Sequence, residues 1–354
     1  MKTLAIIGTG IAGLGCAYFL HDRFDITLFE QEKHIGGHTN TVTVEEAGRT
    51  LPIDTGFMVF NRVTYPNLTR LFRELDVETK PASMSFSVQH TPTGLEYNGG
   101  SLNLLFGRRR NLVSLRYWRM LLQIRRFNTQ ALAALDDPKY AEYSLRDYVA
   151  ERGYGDDMLN LYLIPMSSAV WSTPPNLMLE FPAMTLLRFW HNHGFLGLHT
   201  QHPWFTVVGG AKSYVEKITA PWRDRVKLER KVTSVARTNG KVTVTTANGT
   251  TGFFDKAILA CHADQALKLL ADPTDLETRL LREFRYQPNT ATLHTDPSFM
   301  PRTRRCWASW NYRLDAAPDG AALPTHMFIS VHFCKLFNFR VHSRYFSQHY
   351  HNMI

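Results

Sequence analysis

The sequence predicts an α/β fold in which one domain, built on a parallel sheet, is split along the chain and interleaved with a second, α+β unit. Three observations carry that expectation. The 354 residues exceed what a single hydrophobic core normally serves. Leu4-Ala5-Ile6-Ile7 is a short, wholly apolar run of the kind that makes a buried parallel strand, and a glycine-rich turn and an apolar-faced helix follow it at once. Comparable runs at 226–229 and 256–260 return much later, so the sheet begun at the amino terminus is completed only after a long insertion.

Taken in order, a strand at 4–7 leads into a helix supplied by Leu14, Cys16, Ala17, Phe19 and Leu20, and a second strand runs from Asp25 to Phe29. Ser83 to Val88 and Leu95 to Tyr97, turned around Thr93-Gly94, predict a hairpin, and the stretch from about 101 to 200 reads as helical. After the strand at 226–229, Val232 to Ala236 and Lys241 to Thr246 form an antiparallel excursion through Asn239-Gly240, the dipeptide that suits a two-residue hairpin turn. The expected organisation is a first domain over 1–76 and 205–268, a second over 77–204 and 269–319, and an atypical tail over 320–354. No internal repeat or low-complexity linker is present, so the two units are expected to pack closely.

Composition narrows the function classes. With 44% hydrophobic and 20% charged residues the chain has enough apolar surface to outweigh chain entropy, which excludes a mainly disordered protein. Cys16, Cys261, Cys306 and Cys334 are widely spaced, which fits neither a disulfide scaffold nor a zinc module and points to a reducing compartment. The opening MKTLAIIGTGIAGLGCAYFL has the outline of a signal peptide, but Gly8, Gly10 and Gly13 would weaken a signal helix. No other stretch is a membrane span, so a cytoplasmic protein is expected.

The net charge of +9 is local. Between Ser101 and Leu135 stand seven arginines (Arg108, Arg109, Arg110, Arg116, Arg119, Arg125, Arg126) and no acid, and Lys335, Arg340 and Arg344 stand without an acid beyond Gly320. Nucleic acid is not an expected partner, because such proteins spread their charge more widely. In the first basic segment Arg116, Arg119, Gln123 and Arg126 fall on one helical stripe, opposite Val113, Tyr117, Met120, Leu121 and Ile124. The plain expectation is a largely buried helix with a solvated polar stripe. The sharper one is peripheral contact with an anionic membrane, at the inner face, through Arg108 to Arg126 beside Trp118 and exposed leucines.

The chemistry-bearing motif is Gly8-Thr9-Gly10-Ile11-Ala12-Gly13, set between strand and helix. Gly8 is expected to make the tight turn, Gly10 to let backbone approach a pyrophosphate, and Gly13 to let helix pack on strand. The helix amino end, with Ile11 and Ala12, would face the phosphates. Glu30 follows 20 residues beyond Gly10, where a carboxylate can accept hydrogen bonds from ribose hydroxyls. After five intervening residues comes Gly36-Gly37-His38-Thr39, a second glycine pair suited to a longer cofactor lying extended across the fold.

On Gly8 to Gly13, Glu30 and Gly36-Gly37 the sequence resembles the flavin-dependent amine oxidase superfamily, which includes monoamine and polyamine oxidases, phytoene desaturases and protoporphyrinogen oxidase. His38 stands where that superfamily usually has arginine, a departure that speaks against true amine oxidase activity. Ile53 to Asn61, Trp171-Ser172, Asn192-His193-Gly194, Val208 to Ala211 with Tyr214, and Trp307 to Tyr312 resemble one subgroup, bacterial NAD/FAD-binding proteins. The resemblance implies a Rossmann-like FAD-binding domain and an interleaved substrate domain, with Thr55, Gly56 and Phe57 beside the flavin, Val232 near the adenine, and Ala260 on the strand beneath the cofactor. It also implies an FAD-dependent oxidoreductase that oxidises or desaturates an apolar or amine-bearing small molecule, or a lipid acyl chain, by hydride transfer to flavin. The alternatives are a redox-neutral flavin isomerase or mutase and a non-catalytic dinucleotide-binding remnant.

Since flavin carries the redox chemistry, no external base is obligatory. His193 is the candidate catalytic residue, and Trp171, Asn192 and Trp204 are candidate substrate contacts, with Phe181 as a further tunnel wall. Neither a nucleophile elbow nor a metal-binding spacing occurs, so hydrolase and metalloenzyme readings fall away and no metal is expected. The superfamily's closing Gly-Asp segment has no match after Trp310. The acid-free, aromatic stretch Phe328 to Ile354 leads us to expect a truncated or frame-shifted end and weak flavin binding.

Overall fold

The computed structural model describes residues 1–46, 48–171, 173–197, 200–286, 290–315, 325–330 and 345–349. The chain divides into two compact units: Met1–Val59, Asn67–Lys80 and Thr206–Gln287 form the first, and Phe60–Pro66, Pro81–Phe205 and Pro288–Ile354 the second.

The first unit is built on a four-stranded parallel sheet, in the order Val226–Lys227, Phe24–Phe29, Lys2–Ile7, Lys256–Leu259. Leu4 to Ile7 are buried because the central strand is covered on both faces. Ala5 and Ile7 pack against Val232, Val235 and Val244 of a three-stranded antiparallel sheet, and the helix Ile11–Leu20 buries Leu14 and Ala17. The antiparallel strands Val232–Thr238 and Lys241–Thr246 turn through Asn239 (φ 52°) and Gly240 (φ 73°), the left-handed pair that Asn-Gly predicts.

The helices Ala263–Leu269 and Asp275–Leu281 also lie in this unit. The second unit thus resumes later than the 269 expected from the sequence. Side chains that periodicity does not reveal make the difference: Arg237, on the antiparallel sheet, bonds Asp272 at 3.0 Å and Glu277 at 3.0 Å.

In the second unit the expected hairpin forms from Phe86–His90 and Leu95–Asn98, and Phe86–His90 pairs in parallel with Trp310–Leu314. Part of the expected atypical tail is regular. Thr325–Ser330 pairs antiparallel with Trp310–Leu314, and Tyr345–His349 lies between Thr325–Ser330 and Thr290–His294. Backbone pairing in a six-stranded sheet supplies here an order that side-chain periodicity did not announce. The rest of the tail, 316–324, 331–344 and 350–354, lies outside the described residues, as does Ser172.

Helices make up most of 102–192. Pro165, in the helix Ile164–Trp171, has no N–H to give the preceding turn, and the Leu161 carbonyl accepts the Tyr97 hydroxyl at 2.6 Å. The 20-residue helix Leu115–Ala134 buries Tyr117, Met120, Phe127, Ala131 and Ala134. Its polar stripe is not simply solvated. Arg116 makes a two-pronged pair with Asp157, Gln123 accepts the Gly155 N–H at 2.7 Å, and Arg126 donates to the Arg152 carbonyl. The stripe docks residues 152–157, while the apolar residues Leu115, Trp118 and Leu122 face outward and Val113, expected on the buried side, is exposed. No helix among the described residues is long and apolar enough to cross a membrane.

Candidate functional site

The glycine-rich turn forms at the carboxyl end of the strand Lys2–Ile7. Gly8 takes φ 104°, and a Cβ there would come within 2.6 Å of the Ala260 carbonyl oxygen. A Cβ on Gly13 would overlap the Gly8 carbonyl and approach the Ala260 methyl at 3.3 Å. These glycines and Ala260, which bonds Ile7 through its N–H at 2.8 Å, form one close-packed seam between strands and helix. Gly10 differs: a Cβ there would meet nothing within 4 Å. The helix that starts at Ile11 has no side-chain cap and no acid in its first turn, and Ile11 and Ala12 are exposed.

Glu30 is drawn inward. It is 7% exposed; one carboxylate oxygen accepts the Thr9 N–H at 3.0 Å and the Thr9 hydroxyl, and the other accepts the Glu32 N–H at 3.0 Å. The carboxylate thus holds the glycine turn to the end of the second strand, with part of its acceptor capacity left over. Besides the ribose role expected from its position, Glu30 has a partner inside the fingerprint itself, Thr9.

The second glycine pair lies against the first turn. Gly36 donates to the Thr9 carbonyl at 3.1 Å, and a Cβ on Gly37 would sit 3.0 Å from the Gly10 Cα. Residues 38–40 then run beside 55–57: Thr55 donates to the Asn40 carbonyl at 2.9 Å and Phe57 to that of His38 at 3.0 Å, while Gly56 leaves no room for a Cβ against His38. Thr39 and Tyr214 share a buried hydroxyl pair at 2.5 Å, and the Tyr214 ring meets Phe57 edge-on at 6.3 Å. Burial pushes the Tyr214 hydroxyl above its ordinary pKa. Asp54 accepts from Thr41 at 2.5 Å and from the Ala211 N–H at 2.9 Å, and burial raises its carboxyl despite those bonds. The sequence did not announce Tyr214 and Asp54 as these fasteners.

Val232 buries its side chain in the core, so only its backbone is available to a ligand. His38 is exposed, 5.6 Å between ring centroids from His262, whose ring stacks on Tyr286 at 4.2 Å. His262 and Tyr286 carried no sequence signal.

In the second unit the candidates Trp171, His193 and Trp204 come together and Asn192 does not. Phe189 stacks on His193 at 3.9 Å and meets Trp171 at 4.7 Å; His193 in turn stacks on Trp204 at 6.2 Å, and Phe181 packs on Trp171 at 4.9 Å. Asn192 is exposed, and its carbonyl accepts from His202 at 3.1 Å. Each nitrogen of His193 faces a partner: Nδ1 the Phe189 carbonyl at 2.9 Å and Nε2 the Thr64 hydroxyl at 3.3 Å. Burial holds the imidazole below its ordinary pKa. The Asn-His-Gly motif ends a helix: Gly194 takes φ 71°, and the Phe195 N–H bonds the Trp190 carbonyl at 2.7 Å.

A family profile described as flavin containing amine oxidoreductase matches residues 11–340. The chain belongs to that family. FAD is accordingly its cofactor. Among solved structures, cyclohexylamine oxidase from Brevibacterium oxydans is similar at a TM-score of 0.69 and 17% identity, over 98% of this chain and 75% of that one. A CLA-producing fatty acid isomerase from P. acnes is similar at 0.66 and 16%, over 100% and 78%. Putrescine oxidase bound to putrescine is similar at 0.63 and 13%, over 98% and 75%. No curated protein matches.

The flavin family's cofactor carries a pyrophosphate, and the residues present suit one. Gly10 leaves open space where any side chain would intrude, beside an uncapped helix amino end whose N–H groups and dipole favour an anion.

Proposed function

We propose that this protein is an FAD-dependent oxidoreductase that oxidises or desaturates an apolar or amine-bearing small molecule or an acyl chain. The observation that carries the reading is the open face of Gly10 at the uncapped start of the helix Ile11–Leu20. In this reading the backbone N–H groups of Ile11, Ala12 and Gly13 take the pyrophosphate, Gly36, Gly37, His38 and Thr39 line its far side, and Glu30 uses its remaining acceptor capacity toward the adenine ribose. Thr55, Gly56 and Phe57 border the ring system, the Val232 backbone lies near the adenine, and Ala260 keeps the floor of the turn small. Bound flavin supplies the hydride acceptor; the chain supplies binding, orientation and exclusion of water. Trp171 and Trp204 offer an apolar wall suited to an aliphatic substrate, and His193 holds that wall together.

The same fold carries amine oxidases and a fatty acid isomerase, so the test has two arms. Protein supplied with FAD is expected to take it up, and an anaerobic screen of amines and unsaturated fatty acids should find a compound that bleaches the bound flavin. Turnover that needs reduced flavin and consumes no acceptor would favour the isomerase instead. Protein that neither carries flavin nor takes up added FAD would overturn both.

A further inference from the structure

The second unit presents a surface that the flavin chemistry does not use. Leu102, Leu112, Val113, Leu115, Trp118 and Leu122 are all exposed, Val113 at 83%, Leu115 at 76% and Leu122 at 62%. They belong to one local structure. The Trp118 indole N–H bonds the Leu112 carbonyl at 2.9 Å, and its ring packs on Phe106 at 5.0 Å, which fixes the 3-10 turn Arg109–Val113 to the start of the helix Leu115–Ala134. Leu115, Trp118 and Leu122 then continue the apolar surface along one stripe of the helix. A soluble surface rarely gathers large aliphatic side chains in this way without a partner.

Asp157 neutralises Arg116. Among the described residues Arg119 and Arg125, exposed on either side of the Leu115, Trp118 and Leu122 stripe, have no acidic partner, and the sequence supplies no acid between Ser101 and Leu135. The surface is therefore apolar at its crest and cationic at its flank. A second copy of the chain would set like charges together, and a nucleic acid has no use for exposed leucine and valine.

We propose that this patch seats the protein on an anionic phospholipid bilayer, with Leu112, Val113, Leu115 and Leu122 entering the acyl boundary and Arg119 and Arg125 taking headgroup phosphates. Such a surface holds the protein at the interface without spanning it. The inference stands on residues 102–125 and is independent of the flavin reading.

The test is co-sedimentation of the full chain with vesicles of phosphatidylcholine alone or with roughly one-third phosphatidylglycerol, the anionic lipid providing the negative surface potential. Binding is expected to the anionic vesicles only and to weaken as salt rises. Val113→Glu with Leu115→Glu, both at exposed positions, should abolish it while leaving the melting temperature unchanged. Arg119→Gln with Arg125→Gln should weaken partition by about fivefold per charge removed. Brominated acyl chains should quench fluorescence in the parent protein and not in Trp118→Phe. Equal binding to both vesicle types, no binding to either, or full binding by the double glutamate variant would overturn the proposal. Stabilisation by inorganic phosphate without vesicle binding would overturn it as well, by assigning the arginines to a free anion.

Discussion

Replacing Gly10 by alanine separates cofactor binding from folding more cleanly than any other change in the glycine turn. Gly10 takes φ −64° and ψ 174°, extended backbone open to any residue, and the added methyl would touch no protein atom within 4 Å. Alanine is a poorer residue than glycine before a helix, by up to about 1 kcal/mol. The smaller entropy of the unfolded chain returns about 0.4–1 kcal/mol. Apo stability should therefore change little. For FAD the methyl fills the space through which phosphate oxygens reach the first helical N–H groups. Losing one hydrogen bond to a charged group weakens binding by about 1.5–3 kcal/mol, or about 10- to 150-fold in Kd. Calorimetric titration of apo protein with FAD, alongside the apo melting temperature, measures both quantities. Gly13→Ala is the contrasting variant, because its Cβ would overlap the Gly8 carbonyl and must disturb the fold itself. An FAD affinity within about twofold of the parent, smaller than the loss of even one weak hydrogen bond, would refute the placement of the pyrophosphate at Gly10.

Glu30→Ala should lower apo stability by about 1–3 kcal/mol, since it leaves the buried Thr9 N–H without its acceptor, whereas Glu30→Gln keeps the shape and part of the bonding. Denaturant melts of both variants check this, and equal stability would show that the carboxylate is spare. His193 has its pKa lowered by burial, so between its ordinary value near 6.5 and its folded value the unfolded chain binds the extra proton and stability falls as pH falls. The melting temperature of the parent should drop more steeply between about pH 7 and about pH 5 than that of His193→Gln, and parallel profiles would refute the packing role.

Local chemistry made the first half of the cofactor domain legible. An apolar four-residue strand, glycines placed for a turn and a helix start, and an acid at the end of the next strand each bear on backbone geometry within a few residues, so Gly8 to Gly13 and Glu30 could be placed without tertiary information. The family likewise shows in these short motifs. Tertiary structure decided the rest, because the deciding contacts join residues far apart in the chain. The Glu30 carboxylate turns inward because Thr9 meets it there. Thr39 finds Tyr214 175 residues further on, and Asp54 finds Ala211 157 residues further on. Only packing brings Thr64 and Phe189 to the two nitrogens of His193. The arginine stripe shows the same limit: periodicity gave its spacing, but only the position of residues 152–157 turned that stripe into a docking edge and left Leu115, Trp118 and Leu122 facing outward. A sequence states which faces an element has, and what lies opposite each face is decided when the chain packs.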